Sequence, residues 1–311
     1  MGDAVSDFSH LDQPVNLPPP SPATQATFAI GDERTASRVV DIITESYPSH
    51  DLAIAAFEAP GGRWDVTMHF AEAPDEDVIR ALVTDTAGEA AARSIVFSKV
   101  ETKDWVKASL ADLVPVSAGR FVVHGSHDRD RVPVNKLGIE IEAALAFGTG
   151  HHGTTRGCLL LLDQVLHQRT PKRVLDLGSG TGVLAIAAAK ALRRRVLASD
   201  IDPRSVVVAR ENAHLNGVGN LVQAVHATGF QSPHFAANGP FGLVLANILA
   251  NPLRQLAPAL AAHLAPQAFV ILSGLLPHQA NSVVAAYSGP GLKLLKRTQI
   301  EGWSSLLMQR R

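Results

Sequence analysis

Apolar and polar positions along this chain change period repeatedly, and each change marks an element. Residues 1–25 show no apolar periodicity and are rich in proline and polar residues, Pro18, Pro19 and Pro20 among them, which predicts a disordered tail. Beyond it, short apolar or alternating runs predict strands at 26–30, 51–58, 63–70 and 94–100, with Pro60, Gly61 and Gly62 turning the chain between two of them. Helical spacing predicts helices at 33–45, where Val39, Val40, Ile42 and Ile43 share one side, and at 75–92. The order over 26–100 is β-α-β-β-α-β. That is a split βαβ, ferredoxin-like α+β unit with both helices on one face of a small sheet. Its histidines and acids are scattered, so it is expected to recognise a substrate and to take no part in the chemistry.

Residues 101–118 read as a linker helix, with Trp105, Val106 and Leu110 apolar, and a second unit spans 119–311. Strands at 120–124 and 134–141 precede a turn-rich stretch, Phe147 to Thr155, that opens a helix containing Cys158. From Lys172 onward short strands near 173–177, 195–199, 221–226, 241–246 and 267–273 alternate with helices near 182–192, 204–215, 252–264 and 277–287. Such alternation predicts an α/β, Rossmann-like doubly wound and mostly parallel sheet. The last strands, 292–300 and 303–310, are separated only by Glu301 and Gly302, so they form an antiparallel hairpin.

The chemistry begins at Val174-Leu175-Asp176-Leu177-Gly178-Ser179-Gly180-Thr181-Gly182, where an apolar strand runs through a glycine turn into a helix. Backbone that bends sharply and lets a ligand approach its amides needs residues without a Cβ, which Gly178, Gly180 and Gly182 supply. A dinucleotide fingerprint would place its third glycine at 183, where this chain has Val183, so the spacing argues against NAD. The second strand ends at Asp200, where a carboxylate can accept hydrogen bonds from ribose hydroxyls. Asp202 precedes Pro203 and reads as a helix N-cap. The fourth strand ends at Asn247, on the same crevice as Gly178 and Asp200, where its amide carbonyl can accept a hydrogen bond from a substrate amine. The plainer alternative is an asparagine that satisfies a turn. Asn251, before Pro252, reads as a further helix cap.

Composition changes this picture little. The balance of 28 basic and 29 acidic residues requires no nucleic-acid partner, although it leaves room for a local basic patch. No apolar run reaches the ~20 residues of a membrane span, and Asp3 and Asp7 stand where a secretory signal would be positive. The lone Cys158 fits a reducing cytoplasm and reads as core packing. A cytoplasmic monomer without a metal site or a membrane partner is expected.

The alternating glycines after an acid resemble the first motif of class I S-adenosylmethionine-dependent methyltransferases. FGTGHHGTT at 147–155, LDLGSGTGVLAIAAAK at 175–190, SDIDP at 199–203 and ANILANPL at 246–253 together resemble the PrmA family, bacterial methyltransferases of ribosomal protein L11. The resemblance extends over residues 26–311. It implies that Thr155, Gly178, Asp200 and Asn247 contact S-adenosyl-L-methionine or line its pocket. It also implies N-methylation of lysine side-chain or N-terminal amines of L11, free or on the large ribosomal subunit, with the first unit as the docking domain. The family usually has threonine and proline where this chain has His151 and Gly153. The acid that many such enzymes place after the third strand is missing, which leaves adenine to backbone groups or Thr228. On this reading Asn247 orients the amine, Asp176 and the glycine turn hold the methionine end, and His152 is either a proton acceptor or a structural residue. The alternatives are a methyltransferase for another protein's lysines or for a small amine, and a nucleotide-binding module without catalysis. A base-amine nucleic-acid enzyme is disfavoured, because Asn247 is followed by Ile248 and Leu249.

Overall fold

The computed structural model describes residues 23–46, 52–59, 62–70, 73–100, 115–141 and 152–311. The first unit consists of β1 (Ala23–Ile30), α1 (Glu33–Ser46), β2 (Leu52–Ala59), β3 (Arg63–Phe70), α2 (Glu76–Ala87), α3 (Glu89–Arg93) and β4 (Val96–Val100). Its sheet has the order β2-β3-β1-β4, and each neighbouring pair is antiparallel. Period-two alternation sends Ala26, Phe28 and Ile30 of β1 to one face, where they meet Val39 and Ile43 of α1 and Ile79 and Val83 of α2. Both helices therefore cover the same face, as the split βαβ reading requires.

Several boundaries differ from expectation. β1 starts at Ala23, ahead of the predicted 26. The helix predicted over 75–92 is broken at Gly88, whose φ of 89° and ψ of 165° lie outside helical space. Asp75 caps α2 as a side-chain acceptor from the amides of Asp77 and Val78. Of the predicted linker helix at 101–118, residues 101–114 lie outside the described residues, and 116–118 forms a strand.

That strand, β5 (Val116–Ala118), pairs antiparallel with β6 (Phe121–His124), which in turn pairs parallel with β7 (Leu137–Glu140). The broad strand predicted at 134–141 is shorter because a turn, closed by the Lys136 amide on the Pro133 carbonyl at 2.9 Å, occupies its start. This small sheet is fastened to the main one by reciprocal bonds. Asn216 Oδ1 accepts from the Glu140 amide at 2.9 Å while its Nδ2 donates to the Glu140 carbonyl. Within the small sheet's own region, Arg129 makes two bonds to the Glu140 carboxylate, at 2.7 and 2.5 Å.

The main sheet begins after α4 (His152–Gln168). It comprises β8 (Val174–Leu177), α5 (Val183–Leu192), β9 (Val196–Asp200), α6 (Pro203–Leu215), β10 (Val222–His226), α7 (Pro233–Asn238), β11 (Phe241–Asn247), α8 (Ala250–Ala262), β12 (Leu264–Leu275), α9 (Ala280–Ser288), β13 (Leu292–Ile300) and β14 (Trp303–Arg310). The seven strands run β10-β9-β8-β11-β12-β14-β13. Only β14 and its neighbours pair antiparallel, so the predicted terminal hairpin closes a parallel sheet. Two apolar clusters, one around Leu159, Ile186 and Leu245 and one around Leu175, Val244 and Leu272, fill the two faces. The buried central strands are mostly apolar, and their polar side chains gather towards the carboxyl ends.

Candidate active site

Each element contributes to the site where its apolar run stops. At the carboxyl edge of the sheet, register pairs His226 with Asp200, Leu177 with Ser199 and with Ala246, and Asn247 with Ser273. The residues proposed from sequence thus come to one edge, as open α/β sheets require.

The turn after β8 is held from β9. The amides of Gly178 and Ser179 both donate to the Ser199 carbonyl, at 2.8 and 3.0 Å. Gly178, Gly180 and Gly182 have φ values of 68°, 51° and 78°, which side chains other than glycine rarely adopt. Their surroundings differ. A Cβ on Gly178 would overlap Ile248 Cγ2, and one on Gly182 would lie 3.1 Å from the Ala209 Cβ, so these glycines serve close packing. A Cβ on Gly180 would meet nothing within 4 Å. Gly180 therefore borders open space, which leaves its backbone approachable by a ligand.

Replacing each glycine by alanine separates the two functions. Gly178→Ala is expected to lower stability by about 1–3 kcal/mol through overlap and backbone strain. Gly180→Ala is expected to lose about 1 kcal/mol of stability and to weaken the ligand more than Gly178→Ala does relative to its change in melting temperature. Thermal melts and calorimetric titration check both, and identical behaviour of the two variants would refute the distinction.

Asp200 reaches back to the turn. Its Oδ2 accepts from the Gly180 amide at 2.8 Å and its Oδ1 from the Asp202 amide at 3.0 Å. The Ile201 amide also interacts with this carboxylate, which has about four lone-pair directions, so acceptor capacity remains for a ribose hydroxyl. Burial pushes the Asp200 carboxyl above its usual range despite these amides. Asp202 caps α6 by accepting from the Arg204 amide at 2.8 Å, with Pro203 at the first turn, as its spacing predicts. Thr228 is exposed, just after Ala227, whose amide donates to the Asp200 carbonyl at 2.9 Å.

Asp176 lies lower than expected, beneath the turn. It is 1% exposed, and its Oδ2 accepts from the Ala185 amide at 2.8 Å, so it anchors the first turn of α5. Burial pushes its carboxyl from 3.8 to about 7. Because that value exceeds the ordinary one, the fold penalises the anion: the contribution of Asp176 to stability is most favourable below about pH 4, falls as pH rises towards 7, and is least favourable above it. Asp176→Asn, which keeps an oxygen for Ala185, is expected to melt higher than the parent near pH 8 and alike near pH 4. The gain has an upper bound on the order of 4 kcal/mol. A lower melting temperature for the variant at the higher pH would contradict this account.

Asn247 is set by residues that sequence reasoning did not bring to the site. Its Nδ2 donates to Thr154 Oγ1 at 3.2 Å, which turns the amide so that Oδ1 is the end not held by Thr154. Thr154 belongs to a buried chain. Ser273 Oγ donates to the Thr154 carbonyl at 3.3 Å and shares a bond with Ser305 Oγ at 2.8 Å. The hairpin thus braces the start of α4, and Gly153 fits there because a Cβ would press on the Ile300 carbonyl at 2.6 Å. Thr155 is buried in the same turn of α4. The one signal in the sequence for Ser273 is a lone hydroxyl in an apolar strand, directly ahead of Gly274, whose φ is 84°.

One cap assignment is corrected. The residue that caps α8 is Leu249, in extended backbone and without a side-chain bond, while Asn251 lies inside the first turn and accepts from Arg254 Nη2 at 3.1 Å. Pro252 still fits, because a first turn needs no donor there. Cys158 is fully buried, and burial pushes its thiol up to about 12, so it is core and no nucleophile. His151 and the FGTG stretch lie outside the described residues.

Two hydroxyls in this region, Ser179 Oγ and Ser199 Oγ, are buried without a hydrogen-bond partner among the described residues. With open space beside Gly180 and free lone pairs on Asp200, they give the turn the character of a receptor for a nucleoside-bearing ligand.

A parallel sheet closed by an antiparallel hairpin, with a glycine turn at its crevice and an acid on the next strand, is the fold of the class I methyltransferases. Residues 28–311 match the family model described as Ribosomal protein L11 methyltransferase (PrmA), and the chain belongs to that family. A relative from Bradyrhizobium diazoefficiens, named Ribosomal protein L11 methyltransferase, is 67% identical over 291 residues, covering 94% of this chain and 99% of its own. One of the same name from Allorhizobium ampelinum is 44% identical over 288 residues, covering 91% and 98%. A solved structure titled as the ribosomal protein L11 methylase of Lactobacillus delbrueckii subsp. bulgaricus is 29% identical, with a TM-score of 0.57, and covers 64% of this chain and 100% of its own.

Proposed function

We propose that this protein transfers methyl groups from S-adenosyl-L-methionine to amine nitrogens of ribosomal protein L11, lysine side chains or the N-terminus. The observation that carries this reading is the pairing of a receptor turn, Gly178 to Gly182 tied to Asp200, with an amide at Asn247 that Thr154 fixes in orientation. The names of the full-length relatives supply L11 as substrate.

S-adenosylmethionine, when bound, would supply a methyl group on a sulfonium: an in-line amine nitrogen would form the N–C bond as the S–C bond breaks, with the neutral thioether as leaving group. The residues fit such a ligand: Asp200 offers acceptors to a ribose diol, and the glycine turn offers backbone to the methionine end. Asp200, at the crevice edge and bonded to the Gly180 amide, sets an acid beside the turn, which favours a ligand carrying positive charge. Thr155 and Thr228 border the same pocket, Thr228 on the adenine side.

The nucleophile needs a free lone pair and an aligned approach. A lysine amine, with an ordinary pKa near 10.4, is almost wholly protonated at neutral pH, and a dry site lowers that value. Asn247 Oδ1 accepts a hydrogen bond from the amine and aims its lone pair, a role of position rather than proton abstraction. The first unit, residues 23–100, presents L11 to this crevice. The protein acts as a monomer in the cytoplasm, and among the described residues no helix is long and apolar enough to cross a membrane.

Ribosomal particles from cells lacking this activity, incubated with the protein and methyl-labelled cofactor, test the substrate. Label on L11 is expected. Label on a different protein, or on none, would refute the assignment.

A further inference from the structure

The amino-terminal edge of the main sheet, opposite the crevice, carries a strongly unbalanced charge. The whole chain is almost neutral, with a formal charge of −1. Register locates the edge: Val196 pairs with Val174, Val174 with Leu243 and Leu243 with Phe269, and Phe269 faces Gln309, which faces Lys293. At or just beyond this row stand Arg169, Lys172, Arg173, Arg194, Arg195 and Lys293, all exposed. Because Val174 and Val196 are partners, Arg173 and Arg195 emerge side by side, one strand spacing of about 4.8 Å apart.

Among the described residues, no carboxylate is paired with them. The connections at this edge, 169–173, 193–195, 216–221, 239–242, 263–268, 289–293 and 309–311, contain no aspartate or glutamate. Elsewhere the protein does pair its arginines, as in Arg120 with Asp163 and Arg129 with Glu140. The crevice edge has the opposite character, with Asp200 and Asp202.

We propose that this edge is a binding surface for an RNA phosphate backbone, engaged while the opposite edge carries out transfer. A row of unpaired cations across adjacent strands matches a polyanion whose charges recur at short intervals, and it reads charge without base sequence. A lipid surface fits less well. Among the described residues, the large exposed apolar side chains are Val78, Val96, Val134, Ile201, Leu215, Leu249 and Leu295, and none of these lies in the connections that carry the patch. The choice of RNA as the polyanion rests on the ribosomal-protein substrate proposed above. Binding is measured without that substrate, so the two ideas fail separately.

The test uses the full-length protein and a short fluorescein-labelled RNA of mixed sequence, followed by anisotropy over a salt series. Arg173→Gln/Arg194→Gln/Arg195→Gln is expected to raise the Kd at least tenfold and to flatten the slope of log K against log salt by about 2, for three lost phosphate contacts. Arg193 is left intact because it closes α5 at a φ of 52°. The same positions changed to lysine are expected to retain binding. Both variants are expected to methylate free L11 and to melt like the parent, since the edge is remote from Asn247. Unchanged RNA affinity and slope in the glutamine variant would overturn the proposal. So would equal loss in the lysine variant, or binding to phosphatidylglycerol vesicles in place of RNA.

Discussion

Asn247→Ala is expected to lower kcat for L11 methylation by about 10²–10³-fold, while the Kd for S-adenosylmethionine stays within about threefold of the parent. Asn247 is bound to Thr154 and, through it, to Ser273 and Ser305, so its carbonyl is held before any substrate arrives. Removing it takes away direction from the amine and leaves the glycine turn and Asp200 intact. Single-turnover rates with saturating cofactor, together with calorimetric titration, separate the two quantities. Thr154→Val should move kcat the same way by a smaller factor, because the amide remains but can turn. An Asn247→Ala enzyme with parental kcat would remove the residue from the mechanism.

Asp200→Ala is expected to have the opposite signature, with a Kd for the cofactor raised about 10²-fold. Two effects add. The ribose loses a charged acceptor, worth about 1.5–3 kcal/mol per bond, and the Gly180 and Asp202 amides lose the carboxylate that holds them. At saturating cofactor, turnover should recover much of the parental value, since Asn247 is untouched. Titration calorimetry on the free protein checks the affinity, and a parental Kd would contradict the role given to Asp200.

Much of this arrangement was legible in the amino-acid order. The glycine turn is legible because a positive φ at three alternating positions leaves few residue choices, and the parallel sheet because buried strands are mostly apolar runs. Asp202 and Pro203 mark the start of α6 by local rules of capping. The hairpin follows from a connection too short to cross over.

What was not legible depends on register between distant segments. Thr154 meets Asn247, and Ser273 braces both, only because β11 and β12 align Asn247 with Ser273. Nothing local to either threonine of α4 distinguishes the one that holds the asparagine. Asp176 looks like a ligand of the cofactor in the sequence, yet its position one residue inside the strand buries it under the turn. Asn251 looked like a cap because Asn-Pro so often is one, but the extended backbone at Leu249 starts the helix earlier. The basic edge is likewise invisible in a near-neutral total, since its charges come from separate connections brought together by strand pairing.

The central claim is that the crevice of Asn247 methylates amines of ribosomal protein L11. Purified full-length protein, purified unmethylated L11 and S-adenosylmethionine, followed by intact-mass and tandem mass spectrometry, test it most directly. L11 is predicted to gain whole methyl increments on lysine side chains or its N-terminal nitrogen, and to gain almost none with Asn247→Ala in the same time. Unchanged L11, or methyl groups on side chains other than amines, would contradict the account.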